Sequence, residues 1–204
     1  MDVLSKRQRD LTILAEDVYK PHNLSAMLRS CDAVGIGLIH AVNPTGGIPT
    51  YNETSGSAEK WVELVVHRSL EAAISHLRTQ AMQILVAHLS IEAIDYRDLD
   101  YTKPTCILLG NEKAGVTEQA AALADQHIII PMLGMVESLN VSVATAVILF
   151  EAQRQRRAAG FYQSPQFSAD EINEQAYRLL FPKEAEKLKK LQLPFPVLNE
   201  EAMS

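Results

Sequence analysis

Ile128-Ile-Ile-Pro131-Met-Leu-Gly134-Met-Val-Glu-Ser138-Leu-Asn140-Val-Ser142-Val-Ala144 passes from an apolar, β-branched run through a loop into the mouth of a helix. The pattern predicts a strand over 127–131 and a long helix over 139–157. That helix is apolar through Leu149 and basic at its C-terminal end, where cations favour the helix dipole. Ser138 and Asn140 stand at its mouth, where their side chains can accept hydrogen bonds from freed backbone amides. The same alternation extends outward. Residues 36–42, 84–89 and 105–109 read as strands, and 117–124 as a short helix. Residues 69–80 read as a helix capped by Ser69, with Glu71 in its first turn. Asn23 is placed as the cap of another, in which Leu24, Met27, Leu28, Cys31 and Val34 recur at helical spacing until Gly35. Strands alternating with helices predict an α/β fold, a parallel sheet flanked by helices.

Beyond Gly160 the character changes. Ser164-Pro165 and Phe181-Pro182 punctuate the chain, 183–191 is a basic helix candidate, and 193–196 reads as extended. The division expected is an N-terminal extension over 1–18, one main domain over 19–160 and a C-terminal extension over 161–204. At 204 residues, 47% hydrophobic and 22% charged, the chain can bury one good core. No apolar run approaches the roughly 18 residues of a membrane span, and none near the N-terminus reads as a signal peptide. Cys31 and Cys106 both sit in apolar segments, which argues against a disulfide framework or zinc cluster.

The net charge of −6 argues at first against a nucleic-acid partner. Its distribution changes that. Residues 31–152 carry a net −8, whereas residues 1–30 carry +1 and residues 153–191 carry +3. Basic side chains collect at the two ends, though solvated helix faces would account for each cluster taken alone.

Several chemistries are excluded by missing motifs. No G-x-G-x-x-G follows a candidate strand, and no phosphate loop or G-x-S-x-G elbow occurs. The six histidines lack paired ligand spacing, so no metal is expected. Three segments at element boundaries remain: Lys20-Pro-His-Asn23 with Arg29; the turn Gly110-Asn-Glu112-Lys-Ala-Gly115; and the 128–144 run. Singly, each has a plain structural explanation as a cap, a tight turn or a helix start.

Together and in this order, the three resemble the motifs of the SPOUT class of RNA 2′-O-ribose methyltransferases. Ala33-Val-Gly35, Tyr101-Thr-Lys-Pro-Thr-Cys106 and Gly160-Phe-Tyr162 narrow the likeness to the bacterial branch that modifies guanosine 18 of tRNA. The resemblance runs from about Arg7 to about Phe181. It implies a deep C-terminal trefoil knot, a feature no general topology rule would suggest. It also implies S-adenosylmethionine (SAM) as cofactor, held largely by backbone at Ala87, Gly110, Ile130, Met132, Ser138 and Leu139. Arg29 matches the activator of the ribose hydroxyl, with Asn23, Glu112 and Asn140 orienting it and the substrate. An arginine side chain keeps its proton, so such an activator stabilises a forming alkoxide and does not act as a base.

The partners implied are tRNA and a second copy of the chain in a homodimer, with no membrane, in the cytoplasm. His22 matches an RNA-handling position, and Arg7, Arg9, Arg154 and Arg156 are the candidates for phosphate contacts. Two alternatives keep the fold: 2′-O-methylation of another RNA (ribosomal RNA or the tRNA wobble position), and a catalytically silent RNA-binding protein or chaperone. Ribosomal relatives commonly carry an extra N-terminal RNA-binding domain, and only about 20 residues precede Pro21. Wobble enzymes are generally shorter at the C-terminus. The segments before Arg7 and after Lys183 depart from the guanosine-18 pattern, which touches RNA binding more than chemistry.

Overall fold

The structure is a computed structural model that describes residues 2–18, 20–43, 60–111 and 114–198. Seven parallel strands form its centre: β1 (Leu11–Glu16), β2 (Leu38–Val42), β3 (Glu63–His67), β4 (Gln83–Ala87), β5 (Ile94–Asp95), β6 (Thr105–Leu109) and β7 (Gln126–Ile129). Their order across the sheet is β3-β2-β1-β6-β4-β7-β5. Two strands are therefore inserted late, β6 between β1 and β4, and β7 between β4 and β5.

The middle strands are apolar on both faces because helices cover both, as a parallel sheet requires. On β6, Ile107 and Leu109 join Leu11, Ile13 and Ala15 of β1 in one core, against α2 (Pro21–Ala33) and α5 (Val141–Ala158). Cys106 and Leu108 point the other way, with Leu14, towards α3 (Leu70–Thr79) and α4 (Glu118–Leu123). Both cysteines are buried and unbridged, and burial pushes their thiols well above the ordinary value. Outside this layer lie α1 (Asp2–Ser5), α6 (Ala169–Leu180) and α7 (Pro182–Lys190).

Helix starts follow local chemistry. Ser69, Thr117 and Asn140 each accept a backbone N–H from the first turn of α3, α4 and α5. At α2 the expectation fails. Pro21 occupies the first turn, where its missing N–H costs nothing, so the helix starts three residues early, with Lys20 as its N-cap. Asn23 thus lies inside the first turn and is buried, not a cap. The helix ends as expected, with Gly35 at φ +87°.

The segment expected as an N-terminal extension contains β1, which pairs with both β2 and β6. Residues 11–16 therefore belong to the core. The C-terminal segment folds back on the other terminus: Arg9 pairs with Glu171 of α6, lies over the Phe167 ring, and donates its backbone N–H to Gln166.

Candidate active site at the strand ends

In a parallel sheet the ligand side is the C-terminal edge, where the loops leave the strands. β6, β4 and β7 are neighbours, so Gly110, Ala87 and Ile130 stand side by side at that edge although they are far apart in sequence. Ala87 and Ile130 are half-buried against the core. Met132 and Leu139 are half-buried, and Ser138 is exposed in the loop joining β7 to α5.

Gly110 is required by contact. A Cβ there would lie 2.3 Å from the Gly115 carbonyl atoms and 2.4 Å from the Val116 nitrogen. The turn is closed by paired Asn111–Gly115 backbone hydrogen bonds, each 2.8 Å, with Gly115 at φ +71°. Glu112, the acidic candidate on this turn, lies outside the described residues.

The first and third motifs meet. The packing of α2 on α5 brings the Asn140 side-chain amide to Asn23, donating to Oδ1 at 3.3 Å. Asn140 simultaneously accepts the Ser142 backbone N–H at 2.9 Å and the Ser142 hydroxyl at 2.6 Å. It is both cap and tether. Arg29 follows two turns along α2, exposed, with no hydrogen bond or ion pair to any described residue. His22 is exposed at the helix start, about two turns before Arg29. The strand ends thus offer main-chain groups and small or apolar side chains, while the Arg29 guanidinium stands in solvent further along α2. That set suits an adenosine-type ligand, which needs an apolar slot and backbone donors and acceptors.

The RNA-facing arginines divide. Arg9 and Arg154 are exposed, each paired with one carboxylate, Glu171 and Glu151 respectively. Arg7 and Arg156 are not surface groups, and their assignment to phosphate contacts is corrected. Arg156 is fully buried. It donates to the carbonyls of Tyr101, Asp10 and Lys103 and to the side chains of Gln8 and Asp10. Arg7 donates to the carbonyls of Ile36 and Trp61 and to Asp32. Burial draws its pKa below the ordinary value, opposed by Asp32. Both lie at the N-terminal edge of the sheet, opposite the site.

Sequence reading also passed over Glu16, whose side chain accepts the backbone N–H and the hydroxyl of Thr117 beside the Gly110 turn. Its signal was an acid at the end of the apolar run Ile13-Leu-Ala15. Among the described residues no group of three or more His, Cys, Asp or Glu is arranged to hold a metal.

Set against known proteins, residues 10–150 match the SpoU rRNA Methylase family, and residues 154–201 match the unit described as SpoU, rRNA methylase, C-terminal. A tRNA (guanosine(18)-2′-O)-methyltransferase of Thermus thermophilus is 59% identical over 169 residues, 83% of this chain and 87% of that protein. The crystal structure of an A. aeolicus TrmH/SpoU tRNA modifying enzyme superposes with a TM-score of 0.80 at 38% identity, covering 94% of this chain and 93% of the other. An AdoMet-bound rRNA methyltransferase from Sinorhizobium meliloti has a TM-score of 0.62 at 32% identity, covering 73% and 57% respectively.

Proposed function

The chain belongs to the SpoU rRNA Methylase family, and from that premise we propose that it is a tRNA (guanosine-18-2′-O)-methyltransferase using SAM. The observation that carries the reading is the junction of α2 and α5, where Asn23 and Asn140 join beside the strand ends and leave Arg29 free. The choice of tRNA follows the relative that is 59% identical.

SAM, when bound, supplies a methyl group on a cationic sulfur, an electrophile needing no further activation. Ala87, Gly110, Ile130, Met132, Ser138 and Leu139 would hold it. Support comes from the alignment of three strand ends and from the AdoMet-bound relative. The protein's own work is positioning. Arg29 holds the ribose 2′-oxygen and stabilises its negative charge as the O–CH3 bond forms and the S–CH3 bond breaks. The hydroxyl proton leaves to solvent. Asn23 and Asn140 fix the base of α2 so that Arg29 is presented at one height, and Glu112 is the remaining orienting residue. His22, Arg9 and Arg154, all exposed, are the residues proposed to contact the RNA. The division proposed is a main domain from Leu11 to about residue 160 followed by a C-terminal extension, in place of an N-terminal extension over 1–18.

A trefoil knot around the β7–α5 loop is part of the reading, supported by the late insertion of β6 and β7. So is a homodimer. Leu133, Met135 and Val136 are 101%, 100% and 60% exposed on that loop, with Leu89 and Ile91 at 71% and 105%. Apolar side chains so fully in water mark a surface that a partner covers. No helix among the described residues is long and apolar enough to cross a membrane, and the reaction belongs where tRNA is, in the cytoplasm.

The test is methylation of unmodified tRNA transcript with SAM, followed by mapping of ribose methylation. Methyl at guanosine 18 is expected. Methyl at another position, or only on ribosomal RNA, overturns the substrate. Affinity for tRNA should fall steeply with salt despite the net charge of −6, because phosphate contacts release counterions.

A further inference from the structure

Glu16 ends β1 and is only 5% exposed. A carboxylate removed from water needs hydrogen bonds to both oxygens. Glu16 obtains them from a single residue. The Thr117 backbone N–H donates to Oε2 at 3.0 Å and the Thr117 hydroxyl to Oε1 at 2.7 Å. That hydroxyl oxygen also accepts the Ala120 N–H at 3.1 Å, capping α4. An acid on β1 therefore grips the start of α4, where the chain returns from the turn after β6.

The turn is held from its other side as well. Asn111 donates its side-chain N–H to the Asp17 carbonyl at 2.9 Å. Asp17 itself stands at φ +53°, a conformation that few non-glycine residues adopt. The end of β1 thus holds both limbs, the outgoing one through Asp17 and the returning one through Glu16. The limbs touch: the Gly110 α-carbon packs against Gly115 so closely that no Cβ fits between them. A shift of the returning limb is passed directly to Gly110.

We infer that Glu16 is a positioning residue for SAM. Through Thr117 it sets the returning limb, and through that limb the height at which Gly110 presents its backbone to the cofactor. The inference rests on the reading of Gly110 as a SAM contact. Backbone groups that recognise a ligand lose much of their worth when displaced by an ångström, so the buried clamp acts on affinity for SAM. It does not act on tRNA, which meets other surfaces.

The experiment compares the full-length wild type with Glu16→Gln, Thr117→Val and the double variant, measuring SAM binding by calorimetry, both KM values, and amide exchange at 114–117. Wild-type methylation of tRNA establishes the underlying reading first. Glu16→Gln keeps the size of the side chain but replaces one acceptor oxygen by a donor. It should weaken SAM binding about tenfold, the scale of losing a hydrogen bond to a charged group. SAM KM should rise in parallel, tRNA KM should stay within about twofold, and exchange at 114–117 should quicken. The double variant should be no worse than the poorer single one, because both remove the same interaction. Thr117→Ser, which retains both donors, should recover wild-type affinity. Unchanged SAM affinity in a folded Glu16→Gln, or losses that add in the double variant, would overturn the proposal. If Glu16→Gln does not fold, Thr117→Val with Thr117→Ser decides it. A wild type that neither binds SAM nor methylates would overturn the underlying reading instead, and quickened exchange in the variants would still report the clamp.

Discussion

The two edges of the sheet use the same residue type for opposite ends. At the N-terminal edge, Arg156 is wholly buried and donates to three carbonyls and two side chains, and Arg7 binds two carbonyls and Asp32. These guanidiniums bond carbonyls around the starts of the strands, where Thr105 also donates to those of Asp10 and Lys103. By contrast Arg29, on the helix whose start is tied to α5 at the C-terminal edge through Asn23 and Asn140, stands in solvent without a described partner. A buried arginine with its donors consumed can only hold structure. An exposed one on a fixed helix can meet a substrate. The difference lies in the partners, which sequence position does not disclose.

The sharpest way to break this comparison is to remove the free arginine. Arg29→Ala should lower kcat at least about a hundredfold, the scale of losing one donor to a developing oxyanion. Tm and tRNA affinity should change little, because Arg29 contributes no described contact to the fold. Single-turnover methylation with a separate tRNA-binding assay reads both quantities. Unchanged turnover contradicts the assigned role, and a large loss of stability contradicts the division between the edges.

Removing the buried arginine should do the reverse. Arg156→Ala leaves the Asp10 carboxylate and the Tyr101 carbonyl without their donor and takes one of two donors from the Asp10 and Lys103 carbonyls, and a broken buried ion pair costs about 3–5 kcal/mol. For a protein of this size that is a fall in Tm of roughly 10 °C. Below the transition, kcat per folded molecule should stay near the wild-type value. A variant of normal Tm with weakened tRNA binding would return Arg156 to the RNA surface. Arg154→Ala is the matched control, since an exposed pair of this kind contributes about 1 kcal/mol or less.

Much of the C-terminal edge was legible in the sequence, because its logic is local. Ser69, Thr117 and Asn140 fall where helices start, and Gly110 and Gly115 fall where a strand turns sharply. The N-terminal edge was not legible. β1 reads as a plain apolar run until β2 and β6 are set on either side of it, so its residues were assigned to an extension. Arg156 lies in a run of cations at a helix C-terminus, the usual position of solvated ones, and the segments before β1 and β6 bury it. Asn23 was misplaced by a finer balance, since Pro21 starts a helix more cheaply than an asparagine caps one. α6 escaped notice although its cap is the fullest among the described helices, Ser168 and Glu171 bonding each other's backbone amides. It packs mainly on α1 and α7, and no strand precedes or follows it in the chain.

One buried group departs from the rule that the interior is fully paired, and it sharpens the comparison. His40 on β2 is 1% exposed. Its Nδ1 lies 2.9 Å from Nε2 of His67, and its own Nε2 is the one buried side-chain polar atom without a partner among the described residues. Burial, with smaller contributions from His67 and His76, holds its pKa down at about 4 from an ordinary 6.5, and burial together with His76 lowers His67 in the same direction. Between those two values the unfolded chain binds the proton and the folded one does not. Stability must therefore fall as the pH drops from about 6.5 towards 4, by roughly 2 kcal/mol between pH 7 and pH 5 from His40 alone. Urea unfolding at the two pH values should show that loss in the wild type and a smaller one in His40→Leu, which cannot take the proton. Equal losses in both would mean that His40 is charged in the folded state, and that a counter-charge reaches it from outside the described residues.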